Sequence, residues 1–119
     1  MNNLEALAIG LDVSFIPSNA IKPSNGNQTK LQYLLFSSQR DLTIKSNAFE
    51  NLINLREIAI ERTKIEKFQK DSFNIKSKSR NRFLIFFDTL TFDDDAFENG
   101  TFHGISNKTV IVFNYCKIN

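Results

Sequence analysis

The chain has 119 residues, a formal net charge of +2 and a single cysteine. That length fits one small domain or part of a larger one, and so weak a charge does not indicate a nucleic-acid or anionic-membrane binder. One cysteine cannot form an internal disulfide, so stability must come from packing rather than from a cysteine-stapled scaffold. No apolar run approaches the roughly 20 residues that cross a bilayer, and the first residues lack the basic segment and apolar run of a signal peptide.

Apolar residues recur at relative positions 1, 4, 6 and 11 of five units, which start near residues 4, 31, 55, 80 and 108. Each unit contains one short strand around positions 3 to 7, too brief to bury its own apolar face. The units must therefore stack into a solenoid with one continuous core. In chain order the repeated residues are Leu4, Leu7 and Ile9; Leu31, Leu34 and Phe36; Leu55, Ile58, Ile60 and Ile65; Phe83, Ile85 and Leu90; and Ile111, Phe113 and Ile118.

The second half of each unit also repeats, and it explains why the chain has 12 Phe. The segment from Leu42 to Phe49 resembles the segment from Leu90 to Phe97, and Phe68 precedes Phe73 by five residues, as Ile44 precedes Phe49. We expect Phe49, Phe73 and Phe97 to point inward from the convex side. The apolar run at residues 83–87 leaves its register open by one residue, so that either Phe86 or Phe87 could be a core residue.

The register of residues 31–73 resembles the leucine-rich-repeat family, with Asn47-Ala48-Phe49-Glu50-Asn51-Leu52-Ile53-Asn54-Leu55 joining two units. Phe at the end of the convex segment and a period near 24 resemble extracellular members. Departures from consensus, such as Gln39 and Thr63 at position 9, are similar to divergent arthropod proteins of the oplophorus-luciferin monooxygenase non-catalytic subunit-like type.

This resemblance implies an α/β repeat solenoid, with parallel strands on a concave binding face and irregular or short helical convex segments. It also implies a protein-binding module or a non-catalytic subunit without a cofactor, and not an enzyme. Extracellular members usually seal their cores with cysteine-rich caps, which this chain lacks. We therefore expect one domain that belongs to a longer, secreted solenoid, with further repeats or a subunit covering its ends.

Outward strand positions are expected to form the partner site, because aromatic residues and Arg dominate interface energetics. A protein is the expected partner, and the alternative is a carbohydrate or lipid recognised by the same face. Ionic strength would separate an apolar site from a sulfated-glycan site. The predicted partner-binding residues are Tyr33, Leu35, Arg56, Glu57, Arg62, Phe86, Phe87 and Tyr115.

No residue pattern indicates catalysis or a resident metal. A triad would have to combine His103, the only histidine, with Cys116 or a distant Ser. Cys116 falls at position 9, where we expect a structural, inward thiol rather than a reactive one. The carboxylates of residues 93–95 could bind calcium, but the matching Lys-Ser-Asn segment at 45–47 favours a solvated turn.

Two surface features remain. Lys76, Lys78, Arg80 and Arg82 alternate in a Ser-rich connection that could hold sulfated sugar or phosphate, although a solvated loop is the expected role. Three glycosylation sequons begin at Asn27, Asn99 and Asn107, all outside the predicted strands. Sequons in surface loops are typical of a secreted protein.

Overall fold

The computed structural model describes residues 5–21, 30–79 and 82–118. Within these ranges the chain winds as a solenoid, and each coil adds one strand to each of two five-stranded parallel sheets. No α-helix occurs in them. In chain order the strands are β1 (Ala6–Leu11), β2 (Phe15–Ile16), β3 (Tyr33–Ser38), β4 (Leu42–Ile44), β5 (Glu57–Glu61), β6 (Lys64–Phe68), β7 (Leu84–Asp88), β8 (Thr91–Phe92), β9 (Val110–Asn114) and β10 (Lys117–Ile118).

The two sheets confirm the repeat solenoid and differ from the expectation for its second half. The first sheet has the strand order β1-β3-β5-β7-β9, and these are the strands that the apolar spacing predicts. The second sheet has the order β10-β8-β6-β4-β2, so short parallel strands replace the expected irregular or short helical segments. Such short strands of two to five residues are held by pairing with neighbouring coils: β4, β6 and β8 pair on both sides, and β2 and β10 on one.

Register in the first sheet aligns the inward side chains of all five coils. Leu34 pairs with Ile58, Ile58 with Ile85, and Ile85 with Ile111. This alignment places the start of the fourth unit at Arg82, two residues later than the predicted start at 80. The next three residues are of the same kind in both strands: one outward, one inward and one acidic. They are Ala59, Ile60 and Glu61 in β5, and Phe86, Phe87 and Asp88 in β7.

A ladder of left-handed residues forms one corner of the coils. Asn19, Asn47, Asp71 and Gly100 have positive φ angles, from 53° to 88°. Asn, Asp and Gly are the residues that adopt this conformation at the lowest cost. The N–H groups of Asn19, Asn47 and Asp71 each donate to the carbonyl of the corresponding residue in the next coil, at 2.9 to 3.0 Å. The corner therefore continues the hydrogen bonding of the sheets around the bend.

Stacked phenylalanine rings fill the core behind this corner. The rings of Phe49 and Phe73 are stacked with their centroids 6.0 Å apart, and those of Phe73 and Phe102 with theirs 5.5 Å apart. Phe49 and Phe73 therefore point inward as expected, whereas Phe97 is 37% exposed. Phe102 takes its place because each stacked ring follows a ladder residue by two positions, and in this longer coil the ladder residue is Gly100.

Inward side chains are less covered in the outer coils than in the middle ones. Ile58, Ile60 and Ile85 are fully buried, whereas Phe113 in β9 is 53% exposed. A residue in the middle of the stack has a neighbouring coil on each side, whereas Phe113 packs against described residues on one side, including Phe87. Burial in this fold thus depends on stacking between coils.

Truncation of a middle-coil residue tests this dependence. Ile60→Ala is expected to lower the free energy of unfolding by about 2 to 5 kcal/mol, because the cavity would lie between two coils that cannot close over it. Urea denaturation measures the change. Ile118→Ala is the matched control, since the same atoms are removed from an exposed side chain, and equal losses in both variants would contradict the register.

Candidate functional site

The outer face of the first sheet carries an uninterrupted apolar row. Ala8 pairs with Leu35, Leu35 with Ala59, Ala59 with Phe86, and Phe86 with Val112. We call these five residues the central row. Side chains that alternate along a strand point to opposite faces, so the buried residues on either side of this row in β3, β5 and β7 place it on the face away from the core.

Two further rows flank the central row and differ in character. The leading row, on the N-terminal side, is largely apolar, with Tyr33 41% and Val110 56% exposed. The trailing row, on the C-terminal side, is polar. An apolar stripe bounded by polar residues is typical of an interaction surface. The leading row consists of Ala6, Tyr33, Glu57, Leu84 and Val110, and the trailing row consists of Gly10, Ser37, Glu61, Asp88 and Asn114.

Four of the residues predicted from sequence lie together on this face. Tyr33 and Glu57 are neighbours in the leading row, and Leu35 and Phe86 belong to the central row on either side of Ala59. Sequence reasoning did not select Val110, although it is among the more exposed apolar residues of the face. Its position was recoverable, because Val110 stands one residue before the inward Ile111.

The other predicted contact residues lie at the edges of the face. Arg56 immediately precedes β5 and is exposed. Arg62 and Tyr115 occupy corners after β5 and β9, where both have positive φ. Arg62 forms a 3.2 Å ion pair with Glu61, and Tyr115 is 84% exposed. A partner on the central row would reach these residues only by extending beyond the strands.

Phe87 was wrongly predicted to point outward. It pairs with Ile60 and Phe113, and it is fully buried. Its ring lies 5.5 Å from that of Phe68 and 5.2 Å from that of Phe113, centroid to centroid. The run at 83–87 is apolar at every position, so its own sequence cannot define its inward face. Pairing with the neighbouring strands does so.

Hydrogen-bonding side chains close the turns after β3, β5 and β9. The Thr63 hydroxyl donates to Glu61 O at 2.7 Å and accepts from Ser38 N at 3.0 Å. Cys116 is half-buried, with Sγ 3.4 Å from Phe87 O and 3.5 Å from Asn114 O. These contacts place Cys116 in the structural role predicted for position 9. In the second coil the buried polar residue is Ser38, and the predicted Gln39 is exposed.

The remaining ionisable candidates form ordinary surface pairs. His103 Nδ1 lies 2.6 Å from Asp71 Oδ1, so the exposed imidazole links the turns of two neighbouring coils. Asp93 and Asp95 lie 3.8 and 3.7 Å from the ammonium groups of Lys64 and Lys67. Within the described ranges, no three His, Cys, Asp or Glu side chains converge as metal ligands do.

The surface features noted in the sequence are only partly described by the structure. Asn99 and Asn107 are exposed in turns between strands, and the Asn27 sequon lies outside the described residues. Lys76 pairs with Glu50 at 3.8 Å, and Arg80 also lies outside the described residues.

Comparisons with protein-family models, curated proteins and solved structures found no match. In the part of the chain that the structure describes, there is no helix long and apolar enough to cross a membrane. The arrangement of the outer face is therefore the basis for a functional proposal.

Truncation of Phe86 and of Phe87 should lower the stability of the fold by different amounts. Phe87→Ala is expected to cost about 3 to 5 kcal/mol of stability, because it empties a site between aromatic rings in the core. Phe86→Ala removes the same atoms from the half-buried outer face and should cost less than about 1.5 kcal/mol. Urea denaturation of both variants measures the difference, and a larger loss for Phe86→Ala would overturn the inward assignment of Phe87.

Proposed function

We propose that the chain is a protein-binding module of the leucine-rich-repeat type that recognises its partner through the outer face of the first sheet. The observation that carries the proposal is the central row, five coils long and apolar at every position. Folding does not require apolar residues on this face. Their continuity from coil to coil supports a surface adapted to a partner.

The chemistry of the face suits a protein partner. Tyr33 and Phe86 offer large, rigid contact area, and residues of this type lose little conformational entropy on binding. The carboxylate of Glu57 lies within the leading row, those of Glu61 and Asp88 border the apolar rows, and all three would discriminate between partners by charge. Polar groups around an apolar centre are the usual arrangement of protein interfaces.

The family assignment is part of the proposal. A strand in every coil, units of 24 to 27 residues and inward Phe in the second half of the coil all support it. The second parallel sheet distinguishes this chain from α/β members with helical convex segments. We further propose a non-catalytic role, as the family resemblance implies.

Site-specific photo-crosslinking tests the partner face. A benzophenone side chain at position 86 is expected to give a discrete protein adduct in an extract of the source tissue, and one at the exposed Phe15, on the second sheet, should not. Tyr33→Ala should weaken the adduct because it removes an adjacent contact. No adduct at 86, or the same adducts from both positions, would contradict the proposal.

The protein recovered in this way then permits a quantitative measurement. Tyr33→Ala combined with Phe86→Ala is expected to weaken its binding by about tenfold or more, since central aromatic residues carry most interface energy. Phe15→Ala is the control, because it truncates an aromatic residue on the other sheet. Calorimetry at two salt concentrations should show little change in affinity, as expected for an apolar contact.

Secretion is proposed from the sequons and has its own test. Asn99 and Asn107 are exposed in turns, where an attached glycan would meet no strand. When the chain is expressed behind a secretion signal, glycosidase treatment should lower its mass, and Asn99→Gln with Asn107→Gln should remove most of that change. An unmodified chain would count against the secreted assignment.

A further inference from the structure

Basic side chains from four coils meet at the edge where the strands of the first sheet begin. Two adjacent depressions lie there, of about 580 and 460 Å³, and they share Lys78, Ser79 and Arg82. Both volumes fall within the range of about 300 to 1,000 Å³ that small-ligand sites occupy. We call the lining residues the basic edge: Glu5, Lys30, Gln32, Asn54, Arg56, Lys78, Ser79, Arg82 and Lys108.

The backbone holds these residues in place. Gln32 N donates to Glu5 O and Arg56 N donates to Gln32 O, both at 2.7 Å, so that these three residues continue the ladder of the first sheet. Lys78 N donates to Ile53 O at 2.8 Å. Residue 78 is thereby fixed beside the coil that carries Arg56, and the two cations are brought together by the fold although 22 positions separate them in sequence.

Four cations of the basic edge have no carboxylate partner within the described residues. Arg56, Lys78, Arg82 and Lys108 are all exposed, and none of them has an ion pair there, whereas Lys64, Lys67 and Lys76 each pair with a carboxylate. Glu5 is the single acidic residue of the lining. Cations held close together repel each other, and an anion bound between them would relieve that repulsion.

We propose that the basic edge binds the sulfate groups of a linear sulfated glycan. Arg can donate two parallel hydrogen bonds to one sulfate, and Lys adds a compact charge. Gln32, Asn54 and Ser79 supply amide and hydroxyl groups suited to sugar hydroxyls. The lining has no aromatic side chain on which nucleobases could stack, which disfavours single-stranded nucleic acid.

Two joined depressions suit a chain with repeated anionic groups better than one small ion. Lys78 and Arg82 belong to both, Arg56 and Lys30 to one, and Lys108 to the other. A sulfated chain lying along this edge could thus contact Arg56, Lys78, Arg82 and Lys108 together. This site lies outside the apolar rows, so it does not depend on the proposed protein-binding face.

Heparin octasaccharide binding to the full 119-residue chain tests the proposal. Fluorescence anisotropy should show binding that weakens as salt rises, because bound counterions are released. Lys78→Gln with Arg82→Gln is expected to weaken binding about tenfold or more and to reduce the slope of log K against log salt by roughly two. The matched control is Lys70→Gln with Lys117→Gln, which removes the same charge near the second sheet and should change the affinity less than about twofold.

Other outcomes overturn the proposal. Equal losses in both charge variants would show a response to net charge alone. Equal binding of the octasaccharide after desulfation, or tighter binding of an RNA of the same charge or of anionic lipid vesicles, would assign another ligand class. Should the first variant fold poorly, Arg56→Gln with Lys108→Gln tests the same edge. Tyr33→Ala with Phe86→Ala should leave octasaccharide binding unchanged, which separates this site from the protein-binding face.

Discussion

Stacking between coils is the interaction on which the rest of the structure depends. One coil has a strand of five or six residues in the first sheet and too few inward side chains to form a core alone. Burial arises only where Ile58, Ile60 and their counterparts meet across neighbouring coils. The same constraint requires successive coils to keep one register, because a one-residue slip would turn every inward side chain outward. Register, core and outer face are therefore fixed together.

Backbone geometry at the corners preserves that register where the chain leaves the sheets. Asn19, Asn47 and Asp71 have polar side chains that tolerate left-handed φ, and Gly100 has no Cβ to strain. The N–H groups of Asn19, Asn47 and Asp71 would bond only to solvent at an ordinary turn, but here each donates to the next coil. Phe49, Phe73 and Phe102 follow these residues by two positions. The corner thus aligns the aromatic stack as well as the hydrogen bonds.

The sequence predicts most of this architecture where alternation is clear and fails where it is not. In residues 55–65 the large apolar side chains fall only at Leu55, Ile58, Ile60 and Ile65, so their inward face is unambiguous. Residues 83–87 are apolar throughout, and only pairing with Ile60 and Phe113 makes Phe87 a core residue. The second sheet was missed because four of its five strands have only two or three residues, too few to show a period. The basic edge was seen only in part, because Arg56 joins Lys78 through tertiary contacts and Lys76 turns away to Glu50.

Fold and function make separate demands on this chain, and their separation is visible on the first sheet. Inward positions vary little in character, because each must pack between two coils. Outward positions have no such requirement, yet they divide into an apolar centre, an acidic and polar border at the strand ends, and a cationic edge at the strand beginnings. Parallel strands place each class along one line, since equivalent positions of all coils are adjacent. A partner contacting the centre would gain apolar contact that salt does not screen, whereas a ligand at the cationic edge would be held by forces that salt weakens. The two proposed sites thus follow from one geometry and respond to different physical conditions.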